Sequence, residues 1–414
     1  MVTSPALKIL RLKALLPALL ALSGCHVAQQ AADAFKAKDN SNYLHIQDIQ
    51  PFSAIPINEY PRSTHQGAEV LFLKALGSER PTVLTVGQDG RVIGWNVTTG
   101  EGHEIKQLPA PPKLVTLGES KALIAWSDDK GVSISCLRGC SQVKTLSNVK
   151  GRPASLTFHD RDTTLLIGGS DGRIYRWRFM DEQDASSMEE QERMVERYVG
   201  HQTMVSGVVG HSVGRAFFSS DWDGRLIGWL SYTADDFGGK YDKNVFRGRF
   251  YTDIPAAMIA SRPGDRGISS LALSSDGEYI AVGTEDGFVE VWRVKGFMLA
   301  ARKSLHQGRV TSVALSPDGS RVVSVGKDSK VRVHTLTNDP MFTISPTALP
   351  NLLEELSEHH IPLAHRAAFL STERAVIGTK DGEVIEVKLA RAAPTVATPT
   401  PTPKLQPRNQ DNDY

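Results

Sequence analysis

Two stretches of this chain spell patterns that catalysis uses. Gly168-Gly169-Ser170-Asp171-Gly172 matches G-x-S-x-G, the elbow that lifts a nucleophilic serine between a strand and a helix. Here the serine is followed by Arg173-Ile174-Tyr175-Arg176-Trp177, which reads as a second strand. A β-turn between two strands does not build that elbow, so the match is rejected. Glu358, His359, His360 and His365 are residue types that ligate metals. They fall in an insertion, without a ligand spacing that shares one face and without a cysteine to assist. No metal and no cofactor is expected.

Ser170 belongs to a repeated element. Its fullest copy is AFFSSDWDGRLIGWLS, residues 216–231: strand, tight turn, strand. Apolar residues lead into Asp221-Trp222-Asp223-Gly224, and the glycine allows the positive φ that a two-residue hairpin needs. Related stretches occur at 83–97, 122–137, 165–179, 279–294, 321–336 and 374–389, which makes seven. One position is held in turn by Trp95, Cys136, Trp177, Trp229, Trp292, His334 and Val387, at intervals of 41, 41, 52, 63, 42 and 53 residues. A base period near 41 with three insertions is an internal repeat.

Period and motif together resemble the WD-repeat (WD40) β-propeller family, over roughly residues 44–390. The resemblance implies an all-β fold: a single seven-bladed β-propeller of four-stranded antiparallel blades. It also implies a buried hydrogen-bonded set in each well-kept repeat. The fourth repeat offers His201, Ser219, Asp223 and Trp229. The first offers His65, Thr85, Asp89 and Trp95. The sixth offers His306, Ser324 and Asp328, with His334 in the tryptophan position. A neutral imidazole can bridge a carboxylate and a hydroxyl while the indole N–H finds an acceptor. Such sets are expected to brace blades rather than to catalyse. No repeat has Asp after its Trp, so the dipeptide that names the family is absent. The inner strands read approximately VLFLK, KLVTL, ASLTF, MVSGVV, ISSLAL, VTSVAL and AAFLS. These are small and apolar, without the converging titratable groups that catalysis needs, so no enzyme is expected. The alternative is a quinoprotein-like or lactonase-like propeller that acts on or binds a small ligand, to which Trp95-Asn96-Val97-Thr98-Thr99-Gly100 gives faint support.

Outside the repeats, Lys8, Arg11 and Lys13 precede the apolar run Ala14–Leu22, too short to span a bilayer. Leu22-Ser23-Gly24-Cys25 then resembles the bacterial lipobox, which implies a lipoprotein signal peptide at 1–24 and acyl chains on Cys25. Each buried CH₂ contributes about 0.8 kcal/mol, so two or more chains anchor stably. Residues 25–42 read as lipidated cysteine and tether, 43–390 as the propeller, and the Thr-Pro-rich 391–414 as a disordered tail. In enteric-type bacteria His26, rather than Asp, implies sorting to the outer membrane, on its periplasmic face; the inner membrane and the cell surface are the alternatives. Cys136 and Cys140 flank a three-residue loop. They read either as a disulfide or as a buried cysteine beside an unrelated surface one.

Three insertions interrupt the period. Residues 181–193 are acidic and read as a solvated face. Residues 347–362 hold an amphipathic segment, 349–356. Residues 232–253 interleave aromatic and basic residues. There Phe237, Tyr241, Phe246, Arg247, Arg249, Phe250 and Tyr251 either bind a partner or pack the loop onto its blade. With 47 basic and 46 acidic residues, nothing in the composition argues for nucleic acid. The expected protein is a monomeric, lipid-anchored periplasmic scaffold that binds a protein partner, with a role in cell-envelope assembly.

Overall fold

The computed structural model describes residues 63–76, 82–118, 122–137, 143–147, 149, 151–179, 195–210, 216–230, 254–255, 258–260, 266–336 and 353–389. These form a seven-bladed β-propeller. Six blades show all four antiparallel strands, and blade 7 shows three among the described residues. The inner strands are Val70–Leu76, Leu114–Gly118, Pro153–His159, Val205–Gly210, Ile268–Leu273, Val310–Leu315 and Ala364–Ser371. Each lies against the next, and the last lies against the first, which closes the ring.

Second strands are continuous apolar runs because both of their faces are covered. Thr164–Gly169 and Arg321–Gly326, for example, are buried at every position. Between neighbouring blades lies one cluster of buried side chains, seven in all among the described residues. The seven repeat-marking residues occupy a single register. Trp95 pairs with Val83, Cys136 with Leu123, Trp177 with Leu165 and Trp229 with Phe217. Trp292 pairs with Ile280, His334 with Val322 and Val387 with Ala375.

One insertion is corrected. Within residues 347–362, Leu353–His360 is the fourth strand of blade 6 and pairs with Lys330–Leu336. The fourth strands of blades 3 and 4 are Val195–Val199 and Met258–Ala260. Six inner strands carry a β-bulge near their start, which leaves Leu71, Ala154, Ser206, Ser269, Thr311 and His365 outside the ladder.

Candidate functional site

In six blades the tight turn between second and third strands donates a backbone hydrogen bond to the loop that enters the same blade's inner strand, and in blade 2 the entry loop bonds back through Lys113 N–H to the Ser127 carbonyl. The bonds run from Gln88 N–H to the Glu69 carbonyl, Ser170 to Arg152, Trp222 to Met204, Glu285 to Gly267, Lys327 to Arg309 and Lys380 to Leu363, all at 2.8–3.2 Å. The turns and entry loops therefore share one face of the ring, here called the turn face. The histidine sets lie just beneath it.

In blade 1, His65 Nδ1 is 3.2 Å from Asp89 and Nε2 is 2.7 Å from Thr85 Oγ1, which also accepts the Trp95 indole N–H at 2.7 Å. In blade 6, His306 meets Asp328 at 2.9 Å and Ser324 at 2.8 Å. Burial pushes the pKa of both histidines down, so neutral imidazoles do the bridging. His334 fills the tryptophan position, and both of its buried ring nitrogens lack a hydrogen-bond partner among the described residues.

Blade 4 requires a correction. His201 meets Ser219 at 2.6 Å, and Ser219 accepts from Trp229 at 2.7 Å, but the carboxylate is Asp221, 2.8 Å from Nδ1. Asp223 is exposed in the turn. The reason lies in the last residue of the second strand. Blades 1 and 6 have glycine there, and a Cβ on Gly87 or Gly326 would fall 2.4 Å from the histidine Nδ1. Those glycines leave space for an aspartate two residues later to reach back. Asp221 occupies the glycine position and points its own carboxylate into the same space. It also accepts from the backbone N–H groups of Asp223 and Arg225, so the turn is braced from inside.

Blade 5 has a different solution. The Trp292 indole donates to buried Glu290 at 3.0 Å. Arg302 pairs with the same carboxylate at 3.5 Å and stacks over the Phe288 ring.

The motif at Ser170 sits in a turn between the strands Thr164–Gly169 and Arg173–Trp177, and Ser170 Oγ accepts from the Arg152 N–H. Glu358, His359 and His360 lie on the outer strand of blade 6. Glu358 is held by Arg332 at 2.7 Å and Lys330 at 2.8 Å. His365 belongs to blade 7 and faces Glu69 of blade 1 at 2.9 Å. Among the described residues no group of three or more His, Cys, Asp or Glu is placed to hold a metal. Cys136 is disulfide-bonded. Cys25 and Cys140 lie outside the described residues, as do the leader, the tail, residues 181–193 and Phe237, Tyr241, Phe246, Arg247, Arg249, Phe250 and Tyr251.

Sequence reasoning missed the exposed and charged groups of the turn face. Trp222 and Leu363 are 47% and 49% exposed. The inner-strand run AAFLS of blade 7 begins at Ala367, inside the observed strand Ala364–Ser371, and so leaves the bulged His365 and the adjacent Arg366 off the channel wall. Running the inner strand back to the residue opposite Thr379, the last of the second strand, recovers both.

Two stretches, residues 258–293 and 301–335, match the family described as WD domain, G-beta repeat. The chain is 22% identical over 369 residues to "Cell division cycle 20.5, cofactor of APC complex" of Arabidopsis thaliana, covering 76% of this chain and 77% of that protein. It is 23% identical to "APC/C activator protein CDC20" of Saccharomyces cerevisiae, covering 77% of this chain and 57% of that protein. "Actin-interacting protein 1" of Caenorhabditis elegans is 25% identical over 34% of this chain and 26% of its own length.

Proposed function

We propose that this propeller, two stretches of which match the WD-repeat family model, works as a protein-interaction scaffold held to the bacterial envelope by a lipid on Cys25. One observation carries the scaffold reading. The groups with chemistry in blades 1, 4 and 6 are consumed by internal bracing, while the turn face above them mounts exposed residues such as Trp222 and Leu363 on rigid turns. Rigidly held, exposed apolar side chains are what a binding surface presents. The relatives support the same class of role, since their names describe a cofactor, an activator and an interacting protein. The aromatic and basic segment 232–253 is a second candidate contact.

The anchor rests on the basic leader, the short apolar run and the Leu22–Cys25 box. It puts the propeller on the periplasmic face of the outer membrane, within reach of envelope-assembly machinery. Cross-linking in intact cells, followed by mass spectrometry and membrane fractionation, tests both parts. Wild type should be membrane-bound with reproducible protein cross-links. Cys25→Ser should be released or remain unprocessed. A wild type that cross-links no protein ends the scaffold reading, and a Cys25→Ser variant that fractionates and matures like wild type ends the anchor.

A further inference from the structure

Blade 3 is the one blade whose sheet continues past its fourth strand among the described residues. Ile254–Pro255 lies along the outer side of Val195–Val199, with Ile254 opposite Tyr198 and Pro255 opposite Val199. This pairing is parallel, in contrast to the antiparallel pairs within blades 3 and 4. The two residues do not belong to blade 3 in chain order. They stand between the third strand of blade 4, Leu226–Leu230, and its fourth, Met258–Ala260. The chain therefore leaves blade 4, reaches the outer edge of blade 3 and returns to blade 4. Proline cannot donate to a ladder and is confined to edge strands, so Pro255 suits an outermost strand.

Val195, Glu196 and Arg197 precede Tyr198 on the same strand and are half-buried. A strand edge left open there is a template for pairing with any other chain. Parallel register continued from Tyr198 and Ile254 sets residues 251, 252 and 253 opposite 195, 196 and 197. The sequence suits that place. Phe250-Tyr251-Thr252-Asp253-Ile254 is rich in the aromatic and β-branched types that favour strands. Gly248 marks a stop before it.

The register also matches the chemistry of the two faces, between which side chains alternate. Tyr198 points into the seam between blades 3 and 4, where its ring meets Phe217 at 5.0 Å and Trp229 at 5.6 Å. Val195 and Arg197 take the other face. Val195 packs against the cluster between blades 2 and 3, and the residue opposite it is Tyr251. Arg197 lies opposite Tyr175 on its inner side, and on its outer side the register sets Asp253, of the opposite charge. Glu196 is held by Arg176 at 3.2 Å and Arg178 at 3.4 Å, and it faces the uncharged Thr252. Apolar opposite aromatic and acid opposite base are the pairs that neighbouring strands favour.

We propose that residues 250–253 extend the Ile254–Pro255 strand along the outer edge of blade 3, with Tyr251 over Val195 and Asp253 paired with Arg197, so that the insertion of blade 4 seals its neighbour's edge against pairing with another chain. The occupant is this chain's own segment, because that segment ends on the same edge, in register, at Ile254. The proposal is independent of the scaffold and anchor readings. It moves Tyr251 from the candidate partner contact into the fold and keeps Phe237, Tyr241 and Phe246 as that contact.

The test is hydrogen–deuterium exchange read by mass spectrometry on the full chain in detergent micelles. Residues 195–199 and 250–253 should both exchange at least tenfold more slowly than in the denatured chain. Replacing Phe250–Asp253 by Gly-Ser-Gly-Ser should raise exchange in 195–199 at least tenfold and produce concentration-dependent association. Replacing Phe237–Lys240 in the same way should do neither. A charge exchange reads the register. Arg197→Glu and Asp253→Lys should each lower Tm, and the two together should regain at least half of the loss. Arg197→Glu with Thr252→Lys should regain none. Unprotected residues 250–253 in wild type, unchanged exchange of 195–199 in the Phe250–Asp253 replacement, or no recovery in the charge exchange would each overturn the proposal. Protection of 250–253 that vanishes on dilution would put the strand on a second copy and overturn it as well. None of these readouts involves a partner, so the cross-links decide the scaffold reading separately.

Discussion

At the scale of single residues, Asp221 shows how one function can move two places along the chain without losing its geometry. It carries the contact that Asp89 and Asp328 make from the turn. Asp221→Ala should leave the His201 Nδ1–H and two turn N–H groups without their acceptor, at a cost of about 1–3 kcal/mol. Asp223→Ala, on an exposed side chain, should stay within about 0.5 kcal/mol. Thermal melting of the two variants checks this, and equal losses would refute the assignment. Spacing alone favours Asp223, because Asp89 and Asp328 each lie four residues after their hydroxyl partner. What spacing omits is the missing glycine at position 221. His334 makes a second prediction. Burial, then the charges of Lys303, Arg332 and His306, push its pKa down to about 4. The unfolded chain then binds more protons than the fold between that value and the ordinary histidine pKa near 6.5. Its contribution is therefore complete above pH 6.5 and is lost as pH falls toward 4, on the order of 2–3 kcal/mol in all. Wild type should lose melting temperature over that window, and His334→Trp, whose indole can donate to Ser324 as Trp229 does to Ser219, should lose less. Identical pH profiles would show that another group is responsible.

At the scale of elements, the two central strands of each blade are legible in the sequence and the outer ones much less so. Second strands are short apolar runs that end at a glycine turn, a signal strong enough to place Cys136, His334 and Val387 in the same register as four tryptophans. The outer strand Leu353–His360 carries no such signal. Leu-Glu-Glu-Leu-Ser-Glu-His-His has no β-branched residue and resembles a helix or an insertion. It is a strand because of its partner: Lys330 lies opposite His360, and Arg332 lies opposite Glu358, which both cations then grip. Strand propensity is largely a matter of cross-strand fit, and that fit is invisible until the neighbour is known. The charged mouth of blade 7 was lost for a related reason. A bulge shifts the register by one residue between Ala364 and Arg366, so a strand read by simple alternation begins too late.

At the scale of the whole molecule, the first and last blades in chain order meet at the seam between blades 7 and 1. Its buried cluster has five members, Val70, Leu73, Val83, Leu370 and Val376, against twelve in the seam between blades 6 and 7. Polar ties supplement it: Arg366 to the Leu71 carbonyl, and His365 to Glu69. Among the described residues blade 7 meanwhile shows three strands, with Val384–Lys388 at the outside. An open strand edge invites pairing with another chain. Residues 43–57 lie outside the described residues, and a deletion series in the full chain tests whether they supply a fourth strand to blade 7. Removing 43–57 should lower Tm by about 5–10 °C, the effect of losing a few kcal/mol in a domain of this size, and should promote association through the exposed edge. Removing 27–42, read as tether, should leave Tm unchanged. A 43–57 deletion that melts like wild type and stays monomeric would mean that the ring closes without that segment and that the Arg366 seam suffices.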